Sequence, residues 1–193
     1  MTFSPVKAPE TLRLFAAIPP PQEMLWIQKK FQDHLNRGDW KWMRTENLHL
    51  TLCFVGNIRS EVLPGLLESW EKVRWQFTPF RIWSDGPAWM PERKPRMLWW
   101  RYKKSQEFSN LHKALHRAAA PFKIRPSAWE PHPWPHITLA RFKGSRQGPG
   151  WLPEVDACPD YLEINEIQIW QSLLHQGQVR YVPLPNRFPL FDA

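Results

Sequence analysis

The stretch Leu48-His49-Leu50-Thr51-Leu52-Cys53-Phe54-Val55 has a near copy at Pro135-His136-Ile137-Thr138-Leu139-Ala140-Arg141, so one chain carries His-x-Thr-Leu twice. Between Leu48 and Val55 the pattern has the period of a β-strand, in which residues i and i+2 share a face. It assigns Leu48, Leu50, Leu52 and Phe54 to one face and His49, Thr51, Cys53 and Val55 to the other, with Gly56-Asn57 ending the strand. Each copy therefore presents an imidazole beside a hydroxyl while its aliphatic residues enter a core.

Each motif closes a strand-helix-strand block. Before the first copy, Arg13-Leu14-Phe15-Ala16-Ala17-Ile18 reads as a buried strand stopped by Pro19-Pro20-Pro21. A helix from about Gln22 to Leu35 follows, ending at Asn36-Arg37-Gly38, then a short strand over Trp40 to Arg44. Before the second copy, Met97 to Tyr102 is extended, and Phe108, Leu111, Leu115 and Ala119 mark a helix from Ser105 to Ala120 stopped by Pro121. Between the blocks the pattern predicts a helix over Glu61 to Val73, with Ser60 as cap and Pro64 in the first turn, a strand over Phe77 to Trp83, and a loop from Pro91 to Arg96. Beyond them come a basic loop from Gly144 to Gly150, one strand from Leu162 to Trp170, a closing strand from Val179 to Leu184, and a Pro- and Phe-rich tail placed on the surface. The matching plans predict an internal duplication: residues 1–193 as one domain, with lobes of mixed chain contributions over roughly 11–90 and 91–193. A pseudo-twofold axis would bring both motifs to one groove.

The 193 residues suffice for a substantial core, and 42% hydrophobic with 23% charged residues excludes wholesale disorder. The 21 prolines predict rigid links between short elements, and the 13 tryptophans suit core packing or base stacking. A formal net charge of +8 favours a polyanionic partner. Cys53 and Cys158 are too few for a disulfide framework or a four-cysteine zinc site, which fits a reducing cytoplasm. The first ten residues lack the apolar stretch of a secretory signal, and Leu14 to Ile18 is too short to span a membrane. A cytoplasmic, monomeric protein with no membrane partner is expected.

Two imidazoles suit in-line hydrolysis of a phosphodiester, because such a reaction needs a base for the attacking water and an acid for the departing oxygen. The chemistry permits His49 and His136 to take either role. Thr51 and Thr138 are placed to donate hydrogen bonds to non-bridging oxygens, and Arg141 to clamp them with its guanidinium fork. Strict alternation puts Arg141 on the face opposite His136, so it reaches the site only if the strand ends, twists or bulges. No metal or other cofactor is expected: Pro131, Pro133 and Pro135 break any helical His132/His136 pair, and no carboxylate neighbours either motif. His34, His112, His116 and His175 are expected on the surface. Phe54, Trp99, Trp100, Trp129 and Trp134 are candidates to stack on a base, and Lys94, Arg96, Arg101, Lys143 and Arg146 to follow a phosphate backbone.

At these residues the chain resembles the 2H phosphoesterase superfamily, and within it the bacterial and archaeal RNA 2′,3′-cyclic phosphodiesterases once called 2′-5′ RNA ligases. The similarity runs through Arg13 to Ile18, Leu48 to Gly56 and Pro135 to Arg141, with a weaker fourth segment at Pro95-Arg96-Met97-Leu98-Trp99. It implies an α+β, bilobal fold with two antiparallel-rich sheets flanked by helices and the motif strands lining a central groove. It also implies a metal-independent hydrolase with His49 as the acid on the ribose O3′ and His136 as the base on water. Thr51, Thr138 and Arg141 would bind phosphate; from the aromatic and basic residues named above, and not from the resemblance, Phe54, Arg96, Trp100 and Trp134 are the candidate RNA contacts. The implied substrate is an RNA 2′,3′-cyclic phosphate end, on tRNA fragments or as small cyclic nucleotides, and the product a 2′-phosphate. Cys53 stands where many relatives have a basic residue, and Trp100-Arg101 where a glycine is common. The alternatives are a non-catalytic RNA-binding protein on the same fold, and ATP-independent 2′-5′ joining of RNA ends.

Overall fold

In order along the chain the elements are β1 (Thr11–Ile18), α1 (Glu23–His34), β2 (Trp40–Trp42), β3 (Leu50–Arg59), α2 (Leu63–Arg74), β4 (Phe80–Met90), β5 (Met97–Tyr102), α3 (Gln106–Ala119), β6 (His136–Phe142), β7 (Tyr161–Ile164), β8 (Glu166–His175) and β9 (Gln178–Pro189). This computed structural model describes residues 10–35, 40–122, 133–142, 152–155 and 159–190. Trp129, His132, Lys143, Arg146 and the loop from Gly144 to Gly150 lie outside them.

The strands form one antiparallel path, β7-β4-β5-β6-β3-β1-β8-β9, with β2 added to β6. The motif strands β3 and β6 meet at its centre, paired at Leu50 and Ile137. On either side the plan is the same: motif strand, then the strand preceding its helix (β1 or β5), then β8 or β4. This is the pseudo-twofold duplication the sequence predicts, with the two expected sheets joined along their inner edges into one curled surface. It is an α+β fold with the predicted antiparallel character.

The chain is threaded differently from a split near residue 90. β4 pairs with β5 and β7, wholly in the second half, whereas β8 pairs with β1 in the first. The expected single strand over Leu162 to Trp170 is thus two strands broken at Asn165, one in each half. The apolar spacing marks the break: Leu162 and Ile164 alternate, Ile167 and Ile169 alternate, and the step of three residues between Ile164 and Ile167 falls at Asn165.

The helices cover one face of the sheet. Met24, Ile27 and Phe31 of α1, Leu66, Trp70 and Val73 of α2, and Phe108, Leu111 and Leu115 of α3 join Leu14, Leu50, Leu52, Ile137 and Leu139 in the main core. Ser105, expected as the first helical residue, is instead the cap of α3, its Oγ accepting from the Phe108 amide at 3.1 Å. Ser60 caps nothing: residues 60–62 form a 3₁₀ turn, and α2 begins at Leu63 with Pro64 in the first turn, where a missing N–H is tolerated. The tail is no surface appendage, because β9 runs on to Pro189 and buries Phe188 and Leu190. Among the described residues no helix is long and apolar enough to cross a membrane.

Candidate active site

On the sheet face away from the main core, a cleft of about 470 Å³ is lined by His49, Thr51 and Phe54 of the first half and His136, Thr138 and Arg141 of the second. Arg13 and Phe15 of β1 and Ser172, Leu174, Val179 and Tyr181 of the β8–β9 hairpin complete much of its wall. The structure therefore brings together five residues expected to act on phosphate, and among the described residues no Asp or Glu side chain lines the cleft.

Both motif strands depart from simple alternation at the same place. In β3, Ala16 faces Cys53 and Ala17 faces Thr51, so Leu52 is an extra residue; in β6, Leu98 faces Ala140 and Trp99 faces Thr138, so Leu139 is extra. Such a bulge shifts the facing of everything beyond it by one. Leu52 and Cys53 both point into the core, as do Leu139 and Ala140, and the fifth residue after each histidine returns to the cleft. This is how Arg141 reaches His136. It also overturns the placement of Cys53 beside His49: that thiol is buried in the core, and Phe54 faces the site in its stead. Phe54 thus occupies the position equivalent to Arg141, and the Arg13 guanidinium carbon lies 5.2 Å from its ring centroid, returning a cation to the first half.

Each histidine is oriented by the carbonyl two residues before it. His49 Nδ1 donates to Asn47 O at 2.7 Å and His136 Nδ1 to Trp134 O at 2.8 Å, which leaves Nε2 of each ring for a ligand. Asn47, buried and absent from the sequence reading, also fastens the motif to β9: Nδ2 donates to Val179 O and Oδ1 accepts from the Tyr181 amide, both at 2.8 Å. Phe15, Trp170 and Tyr181 surround the His49 ring at 4.8, 5.7 and 5.1 Å between centroids, while Trp99 stacks on His136 at 3.6 Å. Burial among these rings is the main reason that both imidazoles are pushed down to about 4, and Arg141 adds to it. The carbonyl bonds oppose the shift.

The sign of the resulting pH dependence follows. The unfolded imidazoles take up protons near pH 6.5, while the folded ones stay neutral until about 4. Their stabilising contribution is complete above pH 6.5 and is lost as pH falls through 4, by up to about 1.4 kcal/mol per pH unit for each ring. Calorimetry from pH 7.5 to 4.5 should show the melting temperature falling on acidification, and less steeply in His49→Gln and His136→Gln. Parallel curves for all three proteins would refute this account.

The other candidates part company with the site. Trp100 is fully buried and its Nε1 donates to Ser84 Oγ at 3.0 Å, so it cannot stack on a base. Trp134 lies outside the cleft lining, with Arg101 and Lys104 over its ring, and Arg101 pairs with Asp85 at 3.0 Å. Arg96 is exposed on the loop before β5, away from the cleft wall. His34 and His175 are exposed as expected, but His112 and His116 are buried with ring centroids 4.3 Å apart, because the apolar stripe of α3 extends over them. Among the described residues no group of three or more His, Cys, Asp or Glu side chains could hold a metal ion.

The family model for LigT-like phosphoesterases matches residues 17–100. A protein of Aeropyrum pernix named RNA 2′,3′-cyclic phosphodiesterase is 30% identical over 146 residues, 72% of this chain and 81% of its own. The chain belongs to the LigT-like phosphoesterase family. A Thermus thermophilus protein of the same name is also 30% identical, over 138 residues, 68% of this chain and 69% of its own. Among solved structures, TT0787 of Thermus thermophilus superposes with a TM-score of 0.77 at 25% identity, covering 93% of this chain and 98% of that one. LigT of E. coli, crystallised with 3′-AMP, superposes at 0.73 and 23% identity over 95% and 100% of the two chains, a likeness of fold. This LigT-like phosphoesterase is an enzyme, and its membership of the 2H superfamily agrees with the resemblance drawn from its two motifs.

Proposed function

We propose that the cleft hydrolyses 2′,3′-cyclic phosphates at RNA ends to 2′-phosphomonoesters without a metal. The observation that carries this reading is the pairing of two imidazoles on one cleft, each with Nδ1 held by a backbone carbonyl and Nε2 left for the substrate. The relatives' shared name, RNA 2′,3′-cyclic phosphodiesterase, supports the substrate class. In the proposed step, His136 Nε2 takes a proton from water as the oxygen attacks phosphorus. The bond from phosphorus to O3′ breaks on the opposite side, and O3′ takes the proton of His49 Nε2. Thr51, Thr138 and Arg141 hold the non-bridging oxygens, where charge builds.

Because burial favours the neutral form of both imidazoles at neutral pH, the acid acquires its proton as the anionic substrate arrives. A phosphodiester anion next to an imidazole favours the charged ring and so offsets burial. The test is to incubate the protein with an RNA ending in a 2′,3′-cyclic phosphate in the presence of chelator and to identify the product. A 2′-phosphate beside a free 3′-hydroxyl is expected. A 3′-phosphate would reverse the leaving group, and unchanged substrate would overturn the reading. RNA halves with cyclic phosphate and 5′-hydroxyl ends, supplied without ATP, give the arm that detects joining.

A further inference from the structure

The bulged leucines of the two motifs share a second feature. Leu52 O accepts a hydrogen bond from His112 Nδ1 at 2.6 Å, and Leu139 O accepts one from Gln28 Nε2 at 2.9 Å. His112 lies on α3, which precedes the second motif, yet it reaches the first; Gln28 lies on α1, which precedes the first, yet it reaches the second. Both are polar side chains within apolar helix faces, Gln28 1% and His112 6% exposed. A polar group placed there costs free energy unless it is bonded, so its partner matters. The extra residue of a bulge falls out of the regular ladder, and its carbonyl needs a donor from elsewhere. Gln28 Nε2 also donates to Met43 O at 2.8 Å, and the Met43 amide donates to Leu139 O at 2.9 Å, so the segment after β2 is drawn into the same arrangement.

We propose that Gln28 and His112 are positioning residues, each pinning from the opposite half the bulge that decides which side chain follows the His-x-Thr pair into the cleft. Gln28 thereby holds Arg141 at the site, and His112 holds Phe54 there with Cys53 in the core. Without the bulge, period-2 alternation would send Arg141 to the helix side and carry Cys53 to the cleft. Neither side chain touches the cleft, so each acts through the strand it braces.

Cys53 is a built-in reporter. Its burial pushes the thiol up and keeps it from reagents, so alkylation mapped to Cys53 should be negligible in the folded protein. His112→Leu should speed that alkylation by about tenfold or more under conditions where the protein remains folded, and His112→Gln, which keeps a donor, should restore protection. Equal protection in folded His112→Leu would overturn the role of His112. A nuclear magnetic resonance measurement on the unaltered protein applies even if His112→Leu fails to fold: His112 must carry its proton on Nδ1, and a bare Nδ1 overturns the proposal.

For Gln28 the test is a double-mutant cycle with Arg141. Gln28→Met should lower kcat/KM about tenfold when Arg141 is present and barely further in Arg141→Ala, because the two changes remove one interaction. Losses that multiply, or no loss in Gln28→Met, would overturn it. The kinetic cycle rests on the cyclic phosphate reading, whereas the same cycle read from the affinity for inorganic phosphate, like the Cys53 measurement, does not. Failure of turnover alone would therefore count against the reading of the reaction, and an additive phosphate cycle against the brace.

Discussion

His49→Ala and His136→Ala are each expected to lower kcat for a 2′,3′-cyclic phosphate by about 10²–10⁴-fold, the range ascribed to a positioned acid or base. Both rings lie on the cleft and are held through Nδ1, so alanine removes the proton-transfer atom while leaving the strand pairing intact. The double variant should be little worse than either single one, because an acid and a base that serve one transition state do not contribute independently. The two roles separate with a substrate whose 3′ bridging oxygen is replaced by sulfur. A thiolate leaves without protonation, so this substrate should restore most of the rate to His49→Ala and little to His136→Ala. Rescue of the opposite variant would exchange the acid and the base, and full activity in either alanine variant would end the two-histidine mechanism.

Arg141→Ala should cost about 10²–10³ in kcat/KM, comparable to removing a donor from an oxyanion site. The guanidinium faces the cleft beside Thr138, Nη1 lying 3.7 Å from the weak acceptor Met97 Sδ, and the fork can bond two phosphate oxygens at once. Arg141→Lys keeps a point charge and loses the fork, so it should recover the salt-dependent part of substrate affinity and only part of kcat. Equal kinetics for lysine and arginine would mean that Arg141 acts as charge alone. Its removal should also relieve its lowering effect on both imidazoles, moving the acid limb of the pH profile towards higher pH.

Much of the fold was legible because its signals are periodic. The alternation of Leu48, Leu50 and Leu52, the helical stripe of α3 and the repeated strand-helix-strand plan all depend on local spacing, which a sequence displays directly. The bulges are not periodic. They insert one residue at Leu52 and Leu139, and alternation continued through them puts Cys53 in the cleft and Arg141 outside it, the reverse of what the fold does. A trace exists in hindsight: Leu52-Cys53 and Leu139-Ala140 are pairs of consecutive apolar residues where one polar residue was due.

Other parts of the site were hidden by distance along the chain. Tyr181, Leu174 and Val179 reach the cleft only because β8 lies against β1, a pairing that no residue of either strand announces. Trp99 and Trp100 are neighbours with opposite fates, one stacked on His136 and one sealed in the core, since successive strand residues face opposite ways. The burial of His112 and His116 was masked by residue type, for histidine is usually polar decoration, and here one ring serves a carbonyl of another strand.

The threading of the two halves also bears on how this protein could be taken apart. Residues 80–164 form an unbroken stretch that contains β4 to β7, set into a first half assembled from both ends of the chain. Such a stretch has the topology of a cassette, which invites wholesale exchange for that of a relative. The braces forbid a careless exchange: a foreign cassette arrives with its own residue at the place of His112 and must offer its own leucine carbonyl to Gln28. Chimaeras should therefore work in proportion to how well these two crossed bonds are matched, and an isolated half would fold around a donor with nothing to hold.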